Sequence, residues 1–268
     1  MTDLDRVKES AGALRDDFGA ALAFLTVVPA SALGQRAGTR PNFRRGARTF
    51  PLVGVAVGLA GGLILVLAFR LGLSATLAAT LAVLATVLLT GALHEDGLAD
   101  TADGFGGGDT SERKLAIMDD SRIGTYGALA IGFSLLLRIG TLAALVPFGG
   151  WRAAMALVAA EAASRAMMVR LWCRLPAARS GGMSAETGAP DEPAMYGALF
   201  IAAVVVLVAI IPTSGFWAAM FGSFLLIAAS IGFERLSASQ IGGLTGDTLG
   251  ACQQCTAAAF LIGVAAFA

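Results

Sequence analysis

A chain of 268 residues that is 56% hydrophobic and only 14% charged, with a mean hydropathy of +0.75, is too apolar and too poor in charge for an ordinary soluble domain. Its formal net charge of zero gives no support to nucleic acid as a partner drawn in by overall charge. The composition predicts a polytopic membrane protein instead, in which 34 glycines and abundant alanine suit close helix packing within the bilayer.

The N-terminal stretch MTDLDRVKESAGALRDD is acidic and mixed, without the basic region and short apolar core of a secretory signal, so neither cleavage nor export is expected. Residues 18–33 are apolar but short and are interrupted by Pro29, which predicts an interfacial or re-entrant helix rather than a full span. The loop 34–49 then carries Arg36, Arg40, Arg44, Arg45 and Arg48 with no carboxylate, and the positive-inside rule places it in the cytoplasm. Spanning helices are expected at about 50–69, 71–93, 123–147, 151–172, 195–211, 216–233 and 251–267, each long enough to cross a hydrocarbon core of roughly 30 Å.

Loop parity orders these spans. The connections at Arg70, around Pro147 and at Pro212–Gly215 are short, while 94–122, 173–194 and 234–250 are polar and fall on the same side as the arginine loop. The expected fold is therefore an all-α, polytopic bundle of about seven transmembrane helices plus the N-terminal interfacial or re-entrant helix. It forms one domain over residues 1–268, with its polar apparatus facing the cytoplasm and its C-terminus outside. All but two of the nineteen basic residues are arginine, which suits bidentate holding of phosphate or carboxylate. Cys173 stands alone, and Cys252-x-x-Cys255 has neither a second ligand pair nor a thioredoxin-like setting, so all three read as small apolar filler.

The stretch His94–Gly127 concentrates the chemistry, with eight of the chain's nineteen carboxylates and its only histidine. Asp96, Asp100 and Asp103 are four and three residues apart and share a face of a helix continuing the 71–93 span. Carboxylates stacked this way repel unless a cation sits among them, and an all-oxygen set suits Mg²⁺. A solvated acidic helix end is the plain alternative, but ionisable residues beside a membrane are expensive and point to function. His94 lies off that face and is a candidate general base or phosphate contact, while Glu95 is read as pointing elsewhere, into solvent.

Glycines 104–108 read as a turn feeding the N-terminus of a helix at 111–120, where backbone N–H groups meet phosphate or merely form a flexible loop. Arg122 pairs with Asp119 or Asp120 or faces an anionic substrate. Glu161 and Arg165, four apart inside a span, form an intramembrane pair, and Arg138 calls for a buried ionic or hydrogen-bonded partner. Asp247, at the start of the last span, is either an oxygen ligand or an N-cap.

The motifs F50-P-L-V-G, H94-E-D-G-L-A-D-T-A-D-G, I117-M-D-D-S-R-I-G-T-Y-G, S164-R165 and G246-D-T-L-G-A resemble, in order and over about 20–260, those of the cobalamin synthase family, the adenosylcobinamide-GDP ribazoletransferases. The resemblance implies an integral enzyme of the bacterial cytoplasmic membrane, dependent on Mg²⁺. Its substrates would be a corrinoid-GDP and α-ribazole or its 5′-phosphate; GMP leaves, and adenosylcobalamin or its phosphate forms. It implies metal ligands at Asp96, Asp100, Asp103 and Asp247, catalytic roles for His94, Asp100 and Arg122, and substrate contacts from Ser121, Arg165, Gly246 and Thr248. Partners beyond substrate and lipid would be a second copy of the chain or other cobalamin-assembly enzymes. Glu95 departs from the usual Leu, and Gln254 and Ala257 stand where some relatives have Glu. Rival readings are a CDP-alcohol phosphotransferase, whose aspartate spacing is absent here, and a cation transporter using Arg138, Glu161 and Arg165.

Overall fold

The computed structural model describes residues 3–33, 42–179 and 188–267, with side chains from residue 12 onward. Among these residues the chain is helical, with no strand and a single isolated bridge between Ala177 and Leu244. In order, the helices are α1 (Asp3–Leu25), the short α2 (Phe43–Gly46), α3 (Phe50–Arg70), α4 (Ala75–Thr90), α5 (Leu93–Gly107), α6 (Ser111–Met118), α7 (Thr125–Leu145), α8 (Gly150–Arg174), α9 (Glu192–Ser214), α10 (Phe216–Ile241) and α11 (Gly246–Ala265).

Five helices are long and apolar enough to cross a membrane: Phe43–Arg70, Thr125–Phe148, Glu192–Ser214, Phe216–Ile241 and Gly246–Ala265. A sixth is reached if the bent pair α4 and α5 counts as one broken span. The expected seventh, α8, carries Arg152, Glu161, Arg165, Arg170 and Arg174 and is too charged to qualify. Yet it is the axis of the bundle, with Ala156 to Val169 buried without interruption. Its neighbours shield it, which is how charge is tolerated at membrane depth.

The expected span 71–93 ends early. Gly91 closes α4 with φ 62°, and Ala92 follows at φ 58°, the one non-glycine with positive φ among the described residues. The chain then turns by 88° into α5. An L-residue held left-handed costs energy, so packing must enforce the turn. Its consequence is that α5, with its five carboxyl or imidazole side chains from His94 to Asp103, leaves the axis of α4. Residues 104–107, Gly-Phe-Gly-Gly, are not a loop but the last turn of α5. A Cβ at Gly104 would lie 2.5 Å from Met118 Cγ, so the glycines serve the close seating of α6.

The polar connections are tied to one another by backbone bonds. Ala178 N donates to Leu244 O at 2.9 Å and Leu244 N to Pro176 O at 2.9 Å, joining the loop after α8 to the loop before α11. Asp191 N donates to Arg44 O at 3.0 Å, joining the arginine-rich segment to the start of α9. Arg36 and Arg40 lie outside the described residues. Helix α1, not apolar enough to span, tucks Ala21 and Leu25 fully into the core.

Helix α3 approaches α8 through Gly54, Gly58 and Gly62, one small residue per four, as in close-packed membrane helices. A Cβ at Gly54 would sit 2.2 Å from Glu161 O, and one at Gly58 would sit 2.6 Å from Val158 Cα. Gly132 in α7 has nothing within 4 Å of the same position. Gly54→Ala should therefore lower the thermal midpoint in detergent by the equivalent of about 1–3 kcal/mol through overpacking, whereas Gly132→Ala should be neutral or slightly stabilising. Equal midpoints for the two variants would refute the close approach.

Candidate active site

The site forms where α5 crosses the start of α11. A Cβ at Gly97 would lie 2.7 Å from Asp247 O, and one at Gly250 would lie 3.2 Å from His94 Cα. Two glycines on opposite helices thus allow backbone contact, and the contact sets Asp247 among the α5 carboxylates. The N-cap of α11 is Thr245, not Asp247: Thr245 Oγ1 accepts from Thr248 N at 3.3 Å while Thr245 N donates to Thr248 Oγ1 at 2.9 Å. Thr248 is thereby spent inside a capping box. Asp247, relieved of capping, accepts from the Thr245 hydroxyl at 3.2 Å.

A cavity of about 240 Å³ opens at this crossing. Its lining includes His94, Asp96, Arg179, Gly246 and Asp247 together with Phe24, Phe50, Met168 and Trp172. Asp100, half-buried next to the rim, is pushed up to about 7 first by burial and then by the charges of Asp96, Asp247, Asp103 and Asp119. These aspartates therefore share one field. His94 is buried, and its Nε2 has no partner among the described residues.

Other expected site residues are placed differently. Asp103 accepts from Gly124 N at 2.7 Å and Gly127 N at 2.9 Å, which fastens the first turn of α7. Arg122 is exposed and pairs with Asp120 at 2.6 Å, holding that carboxyl down at about 2, and Ser121 beside it is also exposed. Neither lines the cavity. Arg165 is fully buried and paired with Glu161, as their spacing predicts. The residue missed from sequence is Arg179, which pairs with Asp119 and puts a guanidinium on the cavity rim. Its only signal was its position at the end of a basic series from Arg165.

Beneath His94 lies a buried polar network. Arg138 Nη1 donates to Glu95 Oε1 at 2.8 Å and Gln254 Oε1 at 3.0 Å, and Nη2 donates to Thr86 Oγ1 at 3.0 Å and Glu161 Oε1 at 3.3 Å. Gln253 Nε2 donates to Ser164 Oγ at 3.1 Å. Glu95 is thus not a solvent-facing residue: it is only 5% exposed. The correction has a plain cause, because the turn at Gly91–Ala92 rotates α5 so that Glu95 points back into the bundle.

No three His, Cys, Asp or Glu side chains among the described residues converge tightly enough to enclose a metal ion. That is compatible with Mg²⁺, which is ordinarily held by one or two carboxylates together with water and substrate phosphate. The mutual repulsion recorded at Asp100 is what such an ion relieves.

A family model described as cobalamin-5-phosphate synthase matches residues 17–265. The chain is 48% identical to the adenosylcobinamide-GDP ribazoletransferase of Azorhizobium caulinodans, covering 94% of this chain and 96% of that one. It is 44% identical to the protein of the same name from Sinorhizobium medicae, covering 92% and 94%, and 40% identical to that from Brucella ovis, covering 91% and 94%. No solved structure matches.

Two predictions follow from the charges. Asp100 binds its proton more tightly in the folded chain, at about 7, than in the unfolded one, near 3.9, so folded stability falls as pH rises through that window. Asp100→Asn, which mimics the protonated form, should raise the unfolding midpoint of chelator-treated protein at about pH 8, by on the order of 1 kcal/mol after solvent screening. It should give no gain below about pH 4; a gain independent of pH would refute the cluster. In the network, Glu95→Gln leaves Arg138 with neutral groups at Nη1 and should cost about 3–5 kcal/mol. Adding Gln254→Glu should recover most of that loss, since both Oε1 atoms meet the same nitrogen; thermal unfolding of the single and double variants decides.

Proposed function

The chain belongs to the cobalamin-5-phosphate synthase family, and from that membership we propose how its site joins adenosylcobinamide-GDP to α-ribazole. It is a multi-pass bacterial membrane enzyme of cobalamin biosynthesis. The reaction we assign is attack by a ribose hydroxyl of α-ribazole, or of its 5′-phosphate, on the corrinoid-linked phosphorus, with GMP departing.

The carrying observation is the crossing of α5 and α11, which puts Asp96, Asp100 and Asp247 in one field beside a cavity that His94 and Arg179 also line. Asp96, Asp100 and Asp247 would hold Mg²⁺, with Asp103 supporting them through its grip on α7. When bound, the ion supplies neutralisation of diphosphate charge. Arg179, which pairs with Asp119 through Nη1 and lines the cavity, orients phosphate oxygens, as a guanidinium suits. His94 lines the cavity and has an Nε2 with no partner among the described residues, so it is the side chain placed to take the hydroxyl proton. Arg165, Ser121 and Arg122 act at a distance in this reading: the first inside the network, the others at the exposed end of α6. Gly246 keeps the rim bare for phosphate, and Thr248 holds the turn that presents Asp247.

The arginine-rich segment and the loops joined to it would lie in the cytoplasm of the inner membrane by the positive-inside rule. A transport path finds no support, since Arg138, Glu161 and Arg165 are paired around a space too small for water.

The test is release of GMP from adenosylcobinamide-GDP by the full-length protein in nanodiscs. It should require both α-ribazole and a divalent ion, and Asp96→Asn and Asp100→Asn should each lower it by roughly a hundredfold or more. Turnover at the wild-type rate in Asp100→Asn, with the protein still folded in the membrane, would sink the assignment.

A further inference from the structure

A second cavity, of about 580 Å³, shares no lining residue with the one at the α5–α11 crossing. Asp17 of α1 lines it, with Arg44, Arg45 and Arg48 from the segment leading into α3 and Asp191 and Pro193 from the start of α9. These side chains are accessible: that of Arg44 is 74% exposed, Arg48 36%, Asp17 24% and Asp191 26%, and Arg45 is exposed as well. Three guanidiniums meet two carboxylates there. Arg48 Nη2 donates to Asp17 Oδ2 at 2.9 Å, which occupies one pair. Arg44 Nε stands 4.0 Å from Asp191 Oδ2, too far for a hydrogen bond. Arg45 has no ionic partner among the described residues. The lining therefore carries a surplus cation, and the sequence just before it, residues 34–41, holds two more arginines and no carboxylate.

The spans set the depth of this cavity. Helices long and apolar enough to cross a membrane begin at Phe43 and at Glu192, so the arginines and Asp191 stand at the first turns of two spans, where lipid headgroups lie. Asp191 N donates to Arg44 O at 3.0 Å, which fixes the two starts against each other. A Cβ at Gly197 would lie 3.4 Å from Arg48 Cβ, so α9 passes close beside the arginines. From Pro193 at the cavity, Phe200, Val204, Leu207 and Ile211 follow at helical spacing on one face of α9. That face is uncovered, with Phe200 70% and Leu207 51% exposed. An apolar strip thus runs from the arginines along the span, a feature that a free phosphate ion has no use for and an acyl chain does.

We propose that this arginine pocket binds a phosphate ester anion at the membrane surface, supplied by the headgroup of an anionic phospholipid whose chains lie along α9. Arg44 and Arg45 hold the phosphate oxygens, as guanidinium geometry suits. Arg48, paired with Asp17, ties α1 to the same site. Each arginine at an anionic leaflet adds attraction, and a basic pocket between spans concentrates it on one headgroup. Asp17 shares α1 with Phe24 and Leu25, which line the other cavity, so an occupied pocket steadies the helix that closes that end of the site. The inference does not depend on the reaction assigned above.

The experiment uses the full-length protein in nanodiscs of phosphatidylcholine with and without phosphatidylglycerol, and counts retained lipid by native mass spectrometry after release from the disc. Wild type should retain phosphatidylglycerol over phosphatidylcholine, and Arg44→Ala with Arg45→Ala should lose that preference by roughly fivefold per arginine. Arg70→Ala, at the opposite end of α3, controls for general charge and should keep it. Equal retention by wild type and the double variant, or an equal loss in Arg70→Ala, overturns the proposal. Phosphatidylglycerol should raise the thermal midpoint, while inorganic phosphate added in phosphatidylcholine alone should leave it unchanged. Phosphate matching the lipid would make this a soluble-anion site and overturn the lipid assignment. A selective rise in KM for α-ribazole 5′-phosphate in the double variant would give the pocket to substrate, with the same consequence. If the double variant does not fold, wild type alone decides: phosphatidylglycerol retained no better than phosphatidylcholine sinks the proposal.

Discussion

The guanidinium of Arg138 is the contact on which the rest of the structure depends. From α7 it reaches Thr86 on α4, Glu95 on α5, Glu161 on α8 and Gln254 on α11. With Glu95, Glu161 and Arg165 it forms a group of two cations and two anions, each 5% exposed or less. Buried charge is expensive, and a balanced, hydrogen-bonded set is the form in which a bundle tolerates it. What it yields is register. A helix that turns by 88° after α4 has no loop long enough to define its direction, and Glu95 pins it from below.

Close approach is the second constraint, and it acts where side chains are missing. Gly54 and Gly58 set α3 on α8, and Gly97 and Gly250 set α5 on α11. The two contacts are coupled through Glu161, whose carbonyl meets Gly54 while its carboxylate meets Arg138 and Arg165. Dense packing transmits such contacts, because an interior at crystal-like density has nowhere to absorb a shift. The carboxylates at the rim thus inherit their positions from the bilayer-embedded part of the bundle, where no substrate reaches.

Helix content, the approximate spans and the grouping of polar loops were legible because hydropathy and loop parity are local properties of a sequence. The acidic face of α5 was legible for the same reason, since Asp96 and Asp100 are four residues apart. What escaped was long-range. Arg138 lies 43 positions from Glu95 and 116 from Gln254, and nothing in spacing could say that they share one guanidinium. Arg179 stands in a loop with no periodicity, and its pairing with Asp119 spans 60 positions. Asp247 was ambiguous between ligand and cap because both roles favour the same place, and only the reciprocal bonds of Thr245 and Thr248 free it.

Glu95 on α5 and Gln254 on α11 lie 159 positions apart along the chain. In space, Glu95 Oε1 and Gln254 Oε1 accept from the same Arg138 nitrogen, at 2.8 and 3.0 Å, and Gln254 Nε2 donates to Glu95 Oε1 at 3.0 Å. A second carboxylate there would put two anions against one cation, and none would leave Arg138 undercompensated on that side; either imbalance is costly away from water. The requirement is one negative charge beside Nη1, from α5 or from α11. Because those two helices also carry the rim carboxylates, moving the charge between them leaves the crossing, and therefore the site, in place.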